Sequence, residues 1–368
     1  MSLRLSPKAL FQSRLMFGCI LAIVVLATIP FGWAQAALPS GVLLSRQAIA
    51  KSPLNHKVYV VDKDHAALSV INTANDQTKT VKVGEEPVAI AVNPASGRIY
   101  VVNNGSGTVS VLDGKSDSVI STVDVGARPY LVAVNERTDK IYVSNTFSSD
   151  LTIIDGSSNT ATKKKMGSKD AVVVDTRKNK LYFLGYEDPN IDILDGATEA
   201  VANVHVGQHL WGMALDEASE SLYVTQVGAA DVATIDTKTG KVSTIATGTM
   251  PCAIAANPSK NIVYVANYGD DSVTVIDALK QTVTATIPVG KHPQAIAVDT
   301  KANLIYTANT HGDSVSVIDG ATNKVISSLN VGKNPYAIVV DPDSGTVFTA
   351  NIGSPAFTVI AKPASKTH

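Results

Sequence analysis

The amino-acid sequence predicts an all-β protein, an eight-bladed β-propeller of four-stranded antiparallel blades. Three observations predict it: a repeat of about 41 residues in eight tandem copies, four short β-branched segments in each copy, and turn residues at fixed places between them. The aromatic of an IYVVN-like segment stands at Tyr59, Tyr100, Tyr142, Tyr182, Tyr223, Tyr264, Tyr306 and Phe348, with spacings of 41, 42, 40, 41, 41, 42 and 42. An apolar residue precedes each aromatic by ten positions, from Ile49 and Ile90 to Ile338. The middle of a VSVID-like segment follows each by eleven, from Val70 and Val111 to Val359. All length variation falls between that third segment and the next copy.

Within a copy, the first segment (VAIAV, 88–92) carries small residues around Ile90, as a strand at a crowded axis requires. The second (RIYVV, 98–102), third (TVSVL, 108–112) and fourth (VISTVDV, 119–125) are too short for helices and rich in β-branched residues. They lack clean polar alternation, which suits sheets covered on both faces. Asn93-Pro94, Asn257-Pro258 and Asp341-Pro342 mark the first turn, and Asp113-Gly114, Asp155-Gly156, Asp195-Gly196 and Asp319-Gly320 the third. The fourth segment runs into V-G-x-x-P, as in Gly84 to Pro87, Gly290 to Pro293 and Gly332 to Pro335.

Eight copies supply the first three strands, but the chain ends just after the third strand of copy eight. The expected closure pairs residues 41–45 with Phe357 to Ala361, joining the two chain ends. Seven blades with an irregular extra unit is the alternative. The domain expectation is a signal peptide over 1–36, one propeller over 37–362 and a disordered tail over 363–368.

The segments IYVVN (99–103), IYVSN (141–145), VYVAN (263–267) and IYTAN (305–309), each followed by V-x-V-[IL]-D and V-G-x-x-P, resemble the YVTN-repeat β-propeller family of YncE-like exported proteins. The resemblance covers about 320 residues and implies the propeller fold. Copy four departs from the pattern, reading LYFLG where Asn is expected, and copy five ends in Gln226. The repeat Asn itself reads as a polar side chain that ties down the following loop.

The amino terminus is an address. Arg4, Lys8 and Arg14 precede a fifteen-residue apolar run from Leu15 to Ile29, and Ala34-Gln35-Ala36 offers a cleavage site before Ala37. Fifteen residues are short for a membrane span, which needs about 20, so a periplasmic or secreted protein is expected, with a retained anchor as the alternative. Only Cys19 and Cys252 occur. A disulfide, a C-x-x-C-H haem attachment and a cysteine metal cluster are therefore excluded from the mature chain, and Cys252 reads as a small buried hydrophobe.

Charge is balanced, 31 basic against 32 acidic residues, which argues against duplex DNA as a partner. Lys163-Lys164-Lys165 falls at an outermost strand, where lysines block edge pairing. Gly105-Ser106-Gly107 lacks the following helix of a phosphate cradle, and Asp341 to Gly345 reads as a β-turn rather than a calcium loop. No G-x-S-x-G motif is present.

Candidate site residues come from loops expected at one mouth of the channel: His209, His292, His311, Asp313, Arg128 and Asn104, with His65 on the same face. His292 and His311, with Asp313 nearby, are weak candidates for a metal; no cofactor is predicted. The expected function is a monomeric exported module binding an unknown protein, peptide or small molecule through that face. The alternatives are an enzyme or cofactor carrier (a lactonase-like hydrolase or a haem-binding propeller) and a structural cell-envelope protein.

Overall fold

The computed structural model describes residues 47–360, apart from 53, 76, 342 and 354–356. They form eight antiparallel sheets in chain order, one per repeat, so the count is eight blades and not seven with an extra unit. Seven sheets have four strands; in blade 2 these are Pro87–Val92, Arg98–Asn103, Thr108–Asp113 and Ser118–Asp124. Blade 8 shows Pro335–Asp341, Thr346–Asn351 and Phe357–Ile360. The strand expected to complete it, 41–45, lies outside the described residues, as do the leader and the tail. Among the described residues no helix is long and apolar enough to cross a membrane.

Each first strand lies innermost, beside the inner strands of the two flanking blades, and Ile49–Ser52 of blade 1 lies beside Pro335–Asp341 of blade 8. The ring is therefore closed at its axis. Burial follows the repeat: the second-strand tyrosines from Tyr59 to Tyr306, with Phe348 in blade 8, are fully buried between blades. Sheet faces pack on sheet faces, and clusters such as Tyr59, Leu68, Val70, Ile90, Ile99, Val101 and Leu112 span two blades. Fourth strands are the outer rim and mostly exposed. Ala161–Lys165 is one of them, which places Lys163 to Lys165 on an outer edge as expected.

The repeated polar residues have structural work. In blades 2 to 6 the Asp ending the third strand caps the next turn: Asp113 Oδ1 accepts the backbone N–H groups of Ser116 (2.7 Å) and Lys115 (3.0 Å), and Asp155, Asp195, Asp236 and Asp277 do the same. The repeat Asn donates to the third strand rather than to its own loop. Asn267 Nδ2 bonds Ser272 Oγ at 3.0 Å and Thr274 Oγ1 at 2.9 Å, and Asn103 and Asn309 make matching pairs. The glycine of V-G-x-x-P lies against that Asn. A Cβ on Gly290 would stand 2.4 Å from Asn309 Nδ2, which is why the position carries no side chain.

Candidate functional site

The fourth-to-first and second-to-third loops meet on one face. At the first of these, Glu86, Arg128, His209, Met250, His292 and Asn334 adopt left-handed backbone with φ from 50 to 54°. Their carbonyls accept the N–H groups of Asn104, Thr146, Val227, Tyr268, Thr310 and Ile352 at 2.9–3.2 Å. One backbone clasp thus recurs in six blades, while the side chains it displays differ from blade to blade.

Just beyond lies a second repeated position. In blades 2, 3, 5, 6, 7 and 8 the inner strand carries one extra residue against its partner near its start, a β-bulge that re-aims a side chain. The equivalent residues round the channel mouth are Gln47, Val88, Tyr130, Asp170, Trp211, Cys252, Gln294 and Tyr336. Gln47 crosses between blades. Its backbone oxygen accepts from Ile90 N at 2.9 Å, and its side-chain amide pairs with both Val132 O (2.8 Å) and Val132 N (3.0 Å). Cys252 is buried as expected, its thiol 3.1 Å from Pro293 O.

The residues singled out from the sequence do not form one site. Arg128 Nη1 binds Glu86 Oε2 at 2.6 Å and Asn104 Oδ1 at 2.9 Å, between blades 2 and 3, and Asn104 Nδ2 donates to Pro129 O at 2.8 Å. His209 stacks obliquely on Tyr186, centroids 5.4 Å apart, and Tyr186 meets Trp211 edge-on at 5.8 Å and 90°, between blades 4 and 5. His292 and His311 meet between blades 6 and 7, with Nδ1 atoms 2.8 Å apart and Tyr268 at 4.5 Å from His292. Such a pair needs one imidazole to donate and the other to accept. Burial and the facing His311 hold His292 below its ordinary pKa, against the pull of Asp271.

Asp313 takes no part in that pair. Its carboxylate binds the Lys333 ammonium and Asn334 N, in the next loop. His65 pairs locally with Asp62 at 2.9 Å in blade 1. No group of three or more His, Cys, Asp or Glu side chains among the described residues converges as a metal cage would require.

Sequence reasoning missed Asp170, Tyr186 and Tyr268. The two tyrosines stand four residues past a repeat aromatic, where other copies have Asn104, Thr146, Val227, Thr310 and Ile352. It also missed why blade 4 tolerates its departures. Gly185 replaces the repeat Asn, Lys169 replaces the repeat Pro, and Asp192 stands where blades 3 and 6 have Thr152 and Thr274. The buried Lys169 ammonium fills the vacated donor role, 2.7 Å from Asp192 and 3.1 Å from Asp188. Asp170 itself is exposed, its Oδ2 accepting Tyr186 N at 2.7 Å. Desolvation by the surrounding protein raises its carboxyl above the usual range, outweighing that hydrogen bond and Lys169.

A family model described as a YNCE-like beta-propeller matches residues 16–346. No curated protein matches the chain. Among solved structures, hydrazine synthase of Kuenenia stuttgartiensis is 18% identical with a TM-score of 0.59, covering 77% of this chain and 99% of that one. The dihydro-heme d1 dehydrogenase NirN, in complex with DHE, is 13% identical with a TM-score of 0.69, covering 89% of this chain and 77% of that one. Sqt1 of Saccharomyces cerevisiae is 12% identical with a TM-score of 0.72, covering 87% and 96%. At these identities the likeness is one of fold.

Proposed function

The chain belongs to the YNCE-like β-propeller family, and from that premise we propose that it is an exported binding module whose ligand or partner sits on the channel-mouth face. The leader read from residues 1–36 supports placement outside the cytoplasm. One observation carries the binding reading: a backbone frame that repeats from blade to blade displays side chains that do not. The left-handed loop position holds Glu86, Arg128, His209, Met250, His292 and Asn334, a mixture of acid, base, imidazole, thioether and amide.

On the opposite face the corresponding turns hold near-identical residues that latch neighbouring blades. Asn93 Nδ2 donates to Asp139 at 2.7 Å, Asn135 to Asn179 at 2.7 Å and Asn257 to Asn303 at 3.1 Å. Positions that only hold the ring together repeat; positions that recognise something specific need not. Loops on a rigid scaffold are the usual place for such recognition.

The test is a thermal-shift screen of small molecules and peptides against the parent, Tyr268→Ala with His292→Ala on the mouth face, and Lys238→Ala on the rim. Hits are expected to lose their shift with the mouth-face substitutions and keep it with the rim control. Hits that depend on the rim and ignore the mouth would overturn the reading.

A further inference from the structure

We propose that Asp170, Tyr186 and Trp211 form a receptor for a quaternary ammonium head group at the channel mouth between blades 4 and 5. This deepens, and rests on, the binding reading given above.

Asp170 is the one charged side chain among the eight equivalent mouth positions; the other seven are Gln47, Val88, Tyr130, Trp211, Cys252, Gln294 and Tyr336. Its own neighbour does not neutralise it. The Lys169 ammonium is turned into the blade, held by Asp188 and Asp192. Asp170 makes no ion pair among the described residues. Among the described residues its carboxylate takes one hydrogen bond, from the Tyr186 N–H to Oδ2, and the residue is exposed. A carboxylate without an ion-pair partner, bonded to the backbone of a tyrosine whose ring meets a tryptophan, is arranged for an arriving cation.

The walls define which cation. Tyr186 and Trp211 present rings at 90° to one another with centroids 5.8 Å apart, and His209 supports Tyr186 from another side at 5.4 Å. Two aromatic planes at a right angle beside a carboxylate suit a diffuse, weakly hydrated charge, which is attracted to ring faces and loses little hydration on entry. A planar guanidinium lies flat on only one of two perpendicular rings, whereas a tetrahedral head group meets both faces. A primary ammonium brings three N–H donors that need acceptors, and aromatic walls offer none. A quaternary ammonium has no N–H to satisfy.

Calorimetric titration of the full chain with choline, and with its uncharged isostere 3,3-dimethylbutanol, tests this. Choline is expected to bind, and the isostere to bind about tenfold more weakly or worse. Asp170→Asn, which removes the charge and keeps the shape, is expected to weaken choline about tenfold or more, and Tyr186→Leu several-fold. Choline should also change the fluorescence of the parent, a signal lost in Trp211→Phe. Melting curves of each variant without ligand separate a lost site from a lost fold. Absence of choline binding at millimolar concentration, equal binding of the isostere, or binding untouched by Asp170→Asn in a folded variant would each overturn the proposal. If screen hits still depend on Tyr268 and His292 while choline fails, the cation site is wrong and the mouth-face reading stands.

Discussion

Lys51 Nζ lies 2.5 Å from Asp341 Oδ1, and this ion pair joins the first blade to the last. Asn135 and Asn257 latch their junctions with neutral amide–amide hydrogen bonds, and Asn93 latches its own by donating to the Asp139 carboxylate. At the junction where the two ends of the ring meet, the latch is a pair with side chains only 12% and 0% exposed. Asp341 is further held by Ser344 Oγ at 2.9 Å and Asp343 N at 3.0 Å. Removing one partner leaves a buried charge uncompensated, which typically costs about 3–5 kcal/mol. Lys51→Met is therefore expected to lower the urea midpoint sharply, while Lys301→Met, which removes an exposed partner of Asp343, changes it little.

Acid should unfold the ring, and the sign follows from the turn aspartates. The Ser157 hydroxyl and the Ser158 N–H pull Asp155 down to about 2. Hydrogen bonds from the turns that follow depress Asp113, Asp195, Asp236 and Asp277 as well. Burial alone would raise Asp341, yet Lys51 and the neighbouring donors hold it below its ordinary value. In each case the unfolded chain binds the proton more tightly. The stabilisation is complete above the unfolded carboxyl pKa, about 4, and drains as pH falls through the lower native values. Urea titrations at pH 7, 5 and 3 should show stability nearly level between the first two and falling steeply to the third.

Blade 4 makes a double-mutant prediction. Lys169→Met strands the buried Asp192 and should destabilise by roughly 3–5 kcal/mol. Lys169→Met with Asp192→Thr removes the stranded charge and restores the residue of blades 3 and 6. It should recover a large part of the loss, read as the coupling between the two sites in a denaturation cycle.

Gly290 has no room to grow. Gly290→Ala places a methyl group against the Asn309 side chain, and overpacking of this kind costs about 1–3 kcal/mol. Gly167→Ala, where a Cβ would meet nothing within 4 Å, serves as the comparison for open space at a left-handed backbone with φ of 72°. The former should melt lower than the latter if steric contact, and not backbone preference, dominates at this loop.

The imidazole pair is read by NMR. His292 should titrate below the unperturbed value of about 6.5, because burial and His311 both disfavour its protonated form. His311→Ala should move it upwards while burial keeps it depressed. Its contribution to stability is present at neutral pH and is lost as pH falls from about 6.5 through the native value, since the unfolded chain takes the proton first.

Blade number, strand order and the roles of the turn residues were legible in the sequence, because each depends on short-range chemistry that repeats with the period of the chain. Tyr59 to Phe348 announced eight buried second strands, and Asp113 and its equivalents announced their own turns. The candidate site was legible only as a face. His209, His292 and Arg128 are on it, but they belong to three separate clusters spread round the ring, and Asp313 belongs to Lys333. Which side chains meet is set by blade-to-blade distance and by the bulge that re-aims one residue per inner strand, neither of which leaves a mark in spacing along the chain. Lys169 taking the part of an absent asparagine, and Asp170 left exposed beside it, are decided by three-dimensional packing alone. They arise from residues that look in the sequence like simple lapses of the repeat.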